Sequence, residues 1–217
     1  MKHFIITRNL YPDDYPYKNE RLDLIRRFSI PSLKRQANKN FTWILTGSES
    51  LTEFELKGID WVVARNPLTY IKSIIKNDEV IVSTRFDNDD YLLPNFVDNL
   101  QRIPTGTDTL LVDFAGYRVD LRYKQIYKDV FYKKFPSPFI SLIQNYRHGV
   151  NDLAYVLEHQ HTKMAEHYDF RRVESFEWIQ FIHDHNKLMN RPQDDVMKRG
   201  ELINVTIDNF LKLYNII

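Results

Sequence analysis

The sequence predicts an α/β protein: one domain on a mixed, mainly parallel sheet flanked by helices. Three observations carry this. Short apolar runs at residues 3–7, 41–46, 60–64 and 79–84 alternate with segments of helical spacing. The 217 residues are enough to bury a substantial core in one unit. No internal repeat, low-complexity tract or linker marks a second unit, so residues 1–217 are taken as one domain. Its halves are 1–104, which binds the ligand, and 105–217, on the far side of the site.

The elements follow in order. Residues 3–7 read as a first strand. Residues 20–36 read as helix, with Leu22, Ile25, Phe28 and Leu33 at roughly helical spacing. Pro31 ends or kinks that helix, or starts a second one. Residues 41–46 form a second strand closed by Gly47-Ser48, and 60–64 a third. Residues 68–76 read as a helix with Leu68, Ile71 and Ile75 on one face. Residues 79–84 are a fourth strand, and 94–102 a helix with Pro94 near its start. Beyond it, 109–114, 117–121, 153–157 and 173–182 read as strands. Residues 124–141 read as irregular or short helices around Pro136-Ser137-Pro138. Residues 207–214 close the chain as a helix, with Ile207, Phe210, Leu211 and Tyr214 on one side.

Composition excludes several function classes. Thirty Lys and Arg against 29 Asp and Glu give a net charge of +1, which provides no footprint for non-specific nucleic-acid binding. Cysteine is absent, so disulfides, thiolate zinc sites and cysteine nucleophiles are ruled out. No apolar run approaches a membrane span, and the N-terminus is interrupted too soon for a signal peptide. The expected compartment is the cytoplasm, with peripheral contact at the inner face of the membrane.

The most informative segment is Arg85-Phe86-Asp87-Asn88-Asp89-Asp90-Tyr91, at the end of the fourth apolar run. Three carboxylates in four residues repel one another, and a divalent cation turns that repulsion into coordination. In an extended segment, Asp87 and Asp89 face the same side while Asp90 faces away. Asp90 is left to cap the next helix or to orient a neighbour. Hard oxygen ligands favour Mg²⁺ or Mn²⁺ held jointly by carboxylates and substrate phosphates. Arg85 adds positive charge. In an open α/β sheet, ligands bind beyond the carboxyl ends of the strands, where this run lies. A calcium loop fails, because its sixth and twelfth positions are Leu92 and Asp98 instead of Gly and Glu. A haloacid-dehalogenase phosphatase wants Thr or Val where Tyr91 stands. A solvated acidic turn is the structural alternative.

An apolar strand, Asp-x-Asp and then a helix, after three earlier strands, resembles the nucleotide-sugar domain of GT-A (Rossmann-like) glycosyltransferases. More narrowly, the chain resembles the bacterial rhamnosyltransferase family. The likeness runs through Ile6-Thr7-Arg8-Asn9-Leu10, Pro31-Ser32-Leu33 with Gln36 before Trp43, and the acidic run. It continues at Ser137-Pro138-Phe139, His161-Thr162-Lys163 and Trp178-Ile179-Gln180-Phe181-Ile182-His183. The resemblance implies metal-dependent sugar transfer from a nucleoside-diphosphate donor to a hydroxyl of a glycan or lipid-linked glycan, as in surface polysaccharide synthesis. Asp87 and Asp89 would hold Mn²⁺ or Mg²⁺ with His183 as a further ligand, an imidazole being compatible with Mn²⁺. Thr7 and Arg8 would lie against the base or ribose. Arg65, Arg85 and Asp87 complete the nucleotide-binding set. One departure is Gln144, where the family pattern leads us to expect an acid.

Transfer with inversion needs a base for the acceptor hydroxyl. Asp113, ending a strand on the same rim as Asp87, is the first choice, and a turn cap is its alternative. Asp120, Glu158 and Asp169 also qualify. His159, His161, His183 and His185 alternate in pairs, a weak zinc pattern. Trp178 serves equally as core or as sugar platform. Two further readings stay open: another metal-dependent phosphoryl or nucleotidyl transferase, and a degenerate domain that binds nucleotide or glycan without turnover.

Overall fold

The computed structural model describes residues 1–8, 17–47, 51, 53–129, 136–184 and 200–216. Its first half is a run of βα units. Strand β1 (Lys2–Thr7) lies between β2 (Thr42–Leu45) and β4 (Glu79–Arg85), and β3 (Asp60–Val63) borders β2; all three pairings are parallel. Strands β1, β2 and β4 are apolar and largely buried because helices cover the sheet, while β3 at the edge is more exposed. Helices α1 (Lys18–Leu24) and α2 (Ile30–Lys34) are joined by one π-type turn at Ile25–Ser29. Pro31 stands in the first turn of α2, where its missing N–H costs nothing. It therefore starts a second helix. Short α3 (Glu53–Leu56) precedes β3, and α4 (Pro67–Ile74) follows it, capped by Asn66, whose side chain accepts the Thr69 N–H at 3.1 Å.

The second half is built mainly from antiparallel pairs. Strand β5 (Tyr91–Leu92) follows the acidic run and pairs with β9 (Asp169–Ile182). Helix α5 (Phe96–Gln101) leads to β6 (Thr109–Asp120). Strands β7 (Gln125–Asp129), β8 (Ser141–Tyr146) and β10 (Gly200–Leu202) complete a ten-stranded sheet, and α6 (Ile207–Leu213) closes the described chain. The sheet path runs β10-β7-β6-β8-β4-β1-β2-β3, with β9 parallel to β6 off that path. Strand β8 therefore joins the halves, lying antiparallel to both β4 and β6.

Several expectations change. The segments 109–114 and 117–121 are one continuous strand, so Asp113 sits inside β6 and does not end it. Residues 124–141 contain β7 and the start of β8. Residues 153–157 are a turn-rich loop instead of a strand.

Gly116 and Trp178 explain one irregularity. Pairing of β6 with β9 shifts register around Ala115. A Cβ at Gly116 would lie 2.0 Å from the Trp178 indole, so glycine lets the ring lie on the backbone. Trp178 also stacks on Phe139, with ring centroids 4.5 Å apart, and its Nε1–H donates to the Phe114 carbonyl at 2.8 Å. It is fully buried, a core residue and not a sugar platform.

Candidate functional site at the strand ends

The carboxyl ends of β1 and β4 release Arg8 and Arg85 toward one cavity of about 380 Å³. Its other wall is the segment from Leu157 to Thr162, including Glu158, His159, Gln160 and His161. The loop at 153–157, expected to be a strand, leads into this wall and shares Leu157 with it. Gln144 positions this loop: its Nε2 donates to the Asp152 carbonyl at 2.6 Å, and its Oε1 accepts the Ala154 N–H at 3.0 Å. A carboxylate there could not donate to Asp152, so the amide has a structural reason. Ser83 of β4 adds a second tie, its hydroxyl accepting the Val156 N–H at 3.0 Å.

Arg85 connects the cavity to the acidic run. Its guanidinium reaches Asp87, with Nη2 3.1 Å from Oδ2 and Nε 3.3 Å from Oδ1. Nη1 lies 2.8 Å from Nδ1 of His161. Since Arg only donates, Nδ1 is the acceptor and the imidazole proton sits on Nε2. Burial, reinforced by the Arg85 charge, lowers the His161 pKa to about 4, so this ring is neutral near pH 7.

Asp89 forms a second cluster. Its Oδ2 accepts from Arg21 of α1 and lies 2.9 Å from His183 Nε2, just past β9. Burial opposes its charge, but His183 and Arg21 outweigh burial and hold its pKa below the usual carboxylate value. Asp90 faces elsewhere and does not cap the next helix: its Oδ1 accepts the Phe181 N–H of β9 at 2.9 Å. Burial, with the charges of Asp89 and Asp87, pushes its pKa well up. Asp90 thus fastens the acidic run to β9, which carries His183.

The donor chemistry answers whether a divalent ion suits these residues. Among the described residues no three His, Asp or Glu side chains form a closed cage. Asp89 and His183 are an oxygen and a nitrogen donor in contact, with Asp87 two residues away. That set fits an ion completed by substrate phosphates better than a full protein cage. Arg21 already occupies the same Asp89 oxygen.

The remaining sequence-selected residues divide. Thr7 is fully buried, and its hydroxyl accepts from Trp43 Nε1 at 2.9 Å, a core contact. Arg65 is exposed beyond β3 and does not line the cavity. Asp113 is also fully buried: Oδ1 accepts from Ser137 Oγ at 2.5 Å, and Oδ2 accepts from the Ser137 N–H at 2.9 Å and Arg172 Nη1 at 2.6 Å. Both oxygens serve the fold, so this geometry makes Asp113 an anchor instead of an acceptor's base. Asp120 is likewise engaged by Arg122, at 2.8 Å to Nη2. His159 and His161 do not share a strand: His161 begins a 3₁₀ turn, His161–Glu166. His185 lies outside the described residues.

Sequence reasoning missed Arg21, whose partner is 68 residues away, and the cavity wall as a unit. His161-Thr162-Lys163 was a visible signal for the wall, since it belonged to the family likeness.

Comparison with known proteins now adds to this geometry. The model of the family described as "Putative rhamnosyl transferase" matches residues 8–194. The chain belongs to this family. The family match includes Arg8, the acidic run, the cavity wall and His183. A structure of S. aureus TarS 1-349 in complex with UDP-GlcNAc is similar with a TM-score of 0.51 at 12% identity, over 88% of this chain and 62% of that one. At that identity the likeness shows the fold, that of a glycosyltransferase. S. aureus TarS 1-349 in complex with UDP matches with a TM-score of 0.46 and 14% identity, over 85% of this chain and 61% of that one. The chain thus spans about three fifths of these TarS chains. No curated protein matches it. Among the described residues, no helix is long and apolar enough to cross a membrane.

Proposed function

We propose that this protein transfers a sugar from a nucleoside-diphosphate donor to an acceptor hydroxyl. The observation that carries the reading is the convergence of Arg8 and Arg85, from two parallel strand ends, on one cavity beside the Asp-x-Asp run. Two guanidiniums suit a diphosphate, which they bind through charge-assisted hydrogen bonds. They also hold charge that grows on the departing nucleoside diphosphate. Neutral His161, fixed by Arg85, keeps its Nε2–H as a donor. TarS is recorded with UDP and with UDP-GlcNAc, which favours a uridine nucleotide as the first donor class to test.

Asp89 and His183, with Asp87 nearby, are the residues that would hold Mn²⁺ or Mg²⁺. The ion would supply Lewis-acid neutralisation of the diphosphate. A second reading has a specific observation in its favour: each Asp of the motif already has an arginine, Arg85 on Asp87 and Arg21 on Asp89. In that reading the arginines suffice for diphosphate binding. The acceptor we expect is a glycan or lipid-linked glycan assembled at the inner face of the membrane.

A thermal-shift series with UDP, dTDP, GDP and their sugars, each with and without Mn²⁺, tests this function. A ligand that binds the native state raises the melting temperature with its concentration. We expect one nucleotide class to stabilise the protein, and more strongly with Mn²⁺. A shift indifferent to Mn²⁺ selects the arginine-only reading. No shift with any nucleotide at millimolar concentration overturns the donor assignment.

A further inference from the structure

The acceptor-side chemistry lacks an owner once Asp113 is withdrawn. A group that takes a proton from an incoming hydroxyl must be a carboxylate or imidazole open to the cavity. Asp113 and Asp120 are buried and engaged, as described. Asp129 is buried against Arg118, at 3.3 Å, and Glu177 accepts from Asn99 at 2.6 Å. Asp87 is held by Arg85, Asp89 by Arg21 and His183, and Asp90 by the β9 backbone. Asp169 is exposed at the start of β9 but does not line the cavity. His161 has its acceptor nitrogen committed to Arg85. His159, the other imidazole of the wall, is stacked on His167 with ring centroids 4.0 Å apart, and among the described carboxylates Glu158 is the one that lines the cavity.

Glu158 is also oriented. Tyr168, just before β9, donates its hydroxyl to Glu158 Oε2 at 3.0 Å. The Tyr168 pKa is raised to about 12 by burial, with the Glu158 hydrogen bond and charge adding, so the phenol stays a donor. The two residues, ten apart in sequence, flank the 3₁₀ turn that carries His161. Oε1 has no partner specified by this contact and belongs to a residue facing Arg8 and Arg85 across the cavity.

We infer that Glu158 is the catalytic base of the transfer, with Tyr168 as its positioning residue; the inference rests on the donor reading above. The acceptor O–H gives its proton to Glu158 while its oxygen forms the bond to the sugar's anomeric carbon. The bond from that carbon to the phosphate oxygen breaks, and its electron pair leaves with the nucleoside diphosphate toward Arg8 and Arg85. Glu158 ends protonated and returns its proton to solvent. Atoms and charge balance without a further reactant.

The test uses the full chain with a UDP-sugar that stabilises it, and water as the acceptor, reading UDP release. Glu158→Gln keeps shape and can still accept from Tyr168, so folding is preserved. Expected are a Kd for UDP within twofold of the parent, kcat lower by at least about 100-fold, and partial recovery in Glu158→Asp. Tyr168→Phe should lower kcat by about tenfold, with the KM for the donor unchanged. Turnover of Glu158→Gln within threefold of the parent overturns the proposal, as does equal loss of UDP binding and turnover. A parent protein that binds the donor and never hydrolyses it overturns the proposal as well, because a poised base activates water too. Failure of every nucleotide to bind the parent overturns the donor reading itself, and is separable because it appears before any variant is made.

Discussion

In the middle of β6, Asp113 meets Ser137 and Arg172 with no surface left, while at the strand ends Arg8, Arg85, Glu158 and His161 stand around an open cavity. Both regions are charged, and both draw residues from distant parts of the chain. They differ in saturation. Each Asp113 oxygen has a partner, and Ser137 Oγ in turn accepts the Phe139 N–H at 3.1 Å. That fixes the Ser137-Pro138-Phe139 turn, whose next residue, Ile140, accepts the Arg85 N–H at 2.9 Å. The buried cluster thus holds the strand end from which Arg85 reaches the cavity. The lesson is that a satisfied buried ion pair marks structure, while incompletely partnered charge at a rim marks chemistry.

The largest expected effect breaks the buried side of this comparison. Asp113→Ala removes one partner of the buried Asp113–Arg172 pair and the anchor of Ser137. We expect a loss of about 3–5 kcal/mol in urea unfolding. A loss under about 1 kcal/mol would show that the cluster is not the anchor described.

Acid supplies the next effect. His3 of β1 is fully buried in a directed chain. Its Nε2 is 2.8 Å from Thr84 Oγ1, which is 2.8 Å from Ser141 Oγ. On the other side Gln101 Nε2 approaches His3 Nδ1 at 3.2 Å and donates to the Asn40 carbonyl at 2.8 Å, which fixes the amide orientation. Both imidazole positions are therefore filled by a neutral ring. Burial lowers its pKa from 6.5 to about 3. With the folded pKa depressed, the unfolded chain binds more protons between those values, so stability falls as pH falls below about 6.5. Asp113 acts oppositely: burial raises its pKa from 3.8 to about 6, which favours the fold as pH falls through that window. The His3 shift is the larger of the two, so His3 outweighs Asp113 in this window. For His3 alone, the loss from pH 7 to pH 4 is about 3 kcal/mol. Urea titrations of the parent and His3→Gln should show the acid loss shrinking in the variant. Equal loss in both would remove His3 as its cause.

The first half was legible because its information is local. Each strand from β1 to β4 is an apolar run, the intervening helices carry local periodicity or caps, and the strand-end rule placed Arg8, Arg85 and the acidic run on one rim. The second half was not, because its strands are defined by partners far away. β8 is recognisable as a strand only once β4 and β6 flank it, and β7 is five residues paired along its two edges with β6 and β10. The error on Asp113 has the same origin. Ending β6 at residue 114 put its carboxylate on a rim, whereas continuing the strand to Asp120 buried it. Arg21 was hidden for a simpler reason: nothing in α1 distinguishes a helix-surface arginine from one aimed at Asp89.

The smallest effect on stability sharpens the cavity side of the comparison. Arg8 is exposed just beyond β1, so Arg8→Ala should move unfolding stability by no more than about 0.5 kcal/mol. Its effect on nucleotide binding should be far larger. Loss of one charge-assisted hydrogen bond to phosphate costs about 1.5–3 kcal/mol, or roughly 10- to 100-fold in Kd. Calorimetric titration of UDP into the parent and Arg8→Ala separates the two quantities, and added salt should narrow the gap by screening the exposed guanidinium. Unchanged UDP affinity in Arg8→Ala would move the diphosphate away from the cavity between β1 and β4. It would then belong beside Arg21 and Asp89, where a guanidinium is already in place.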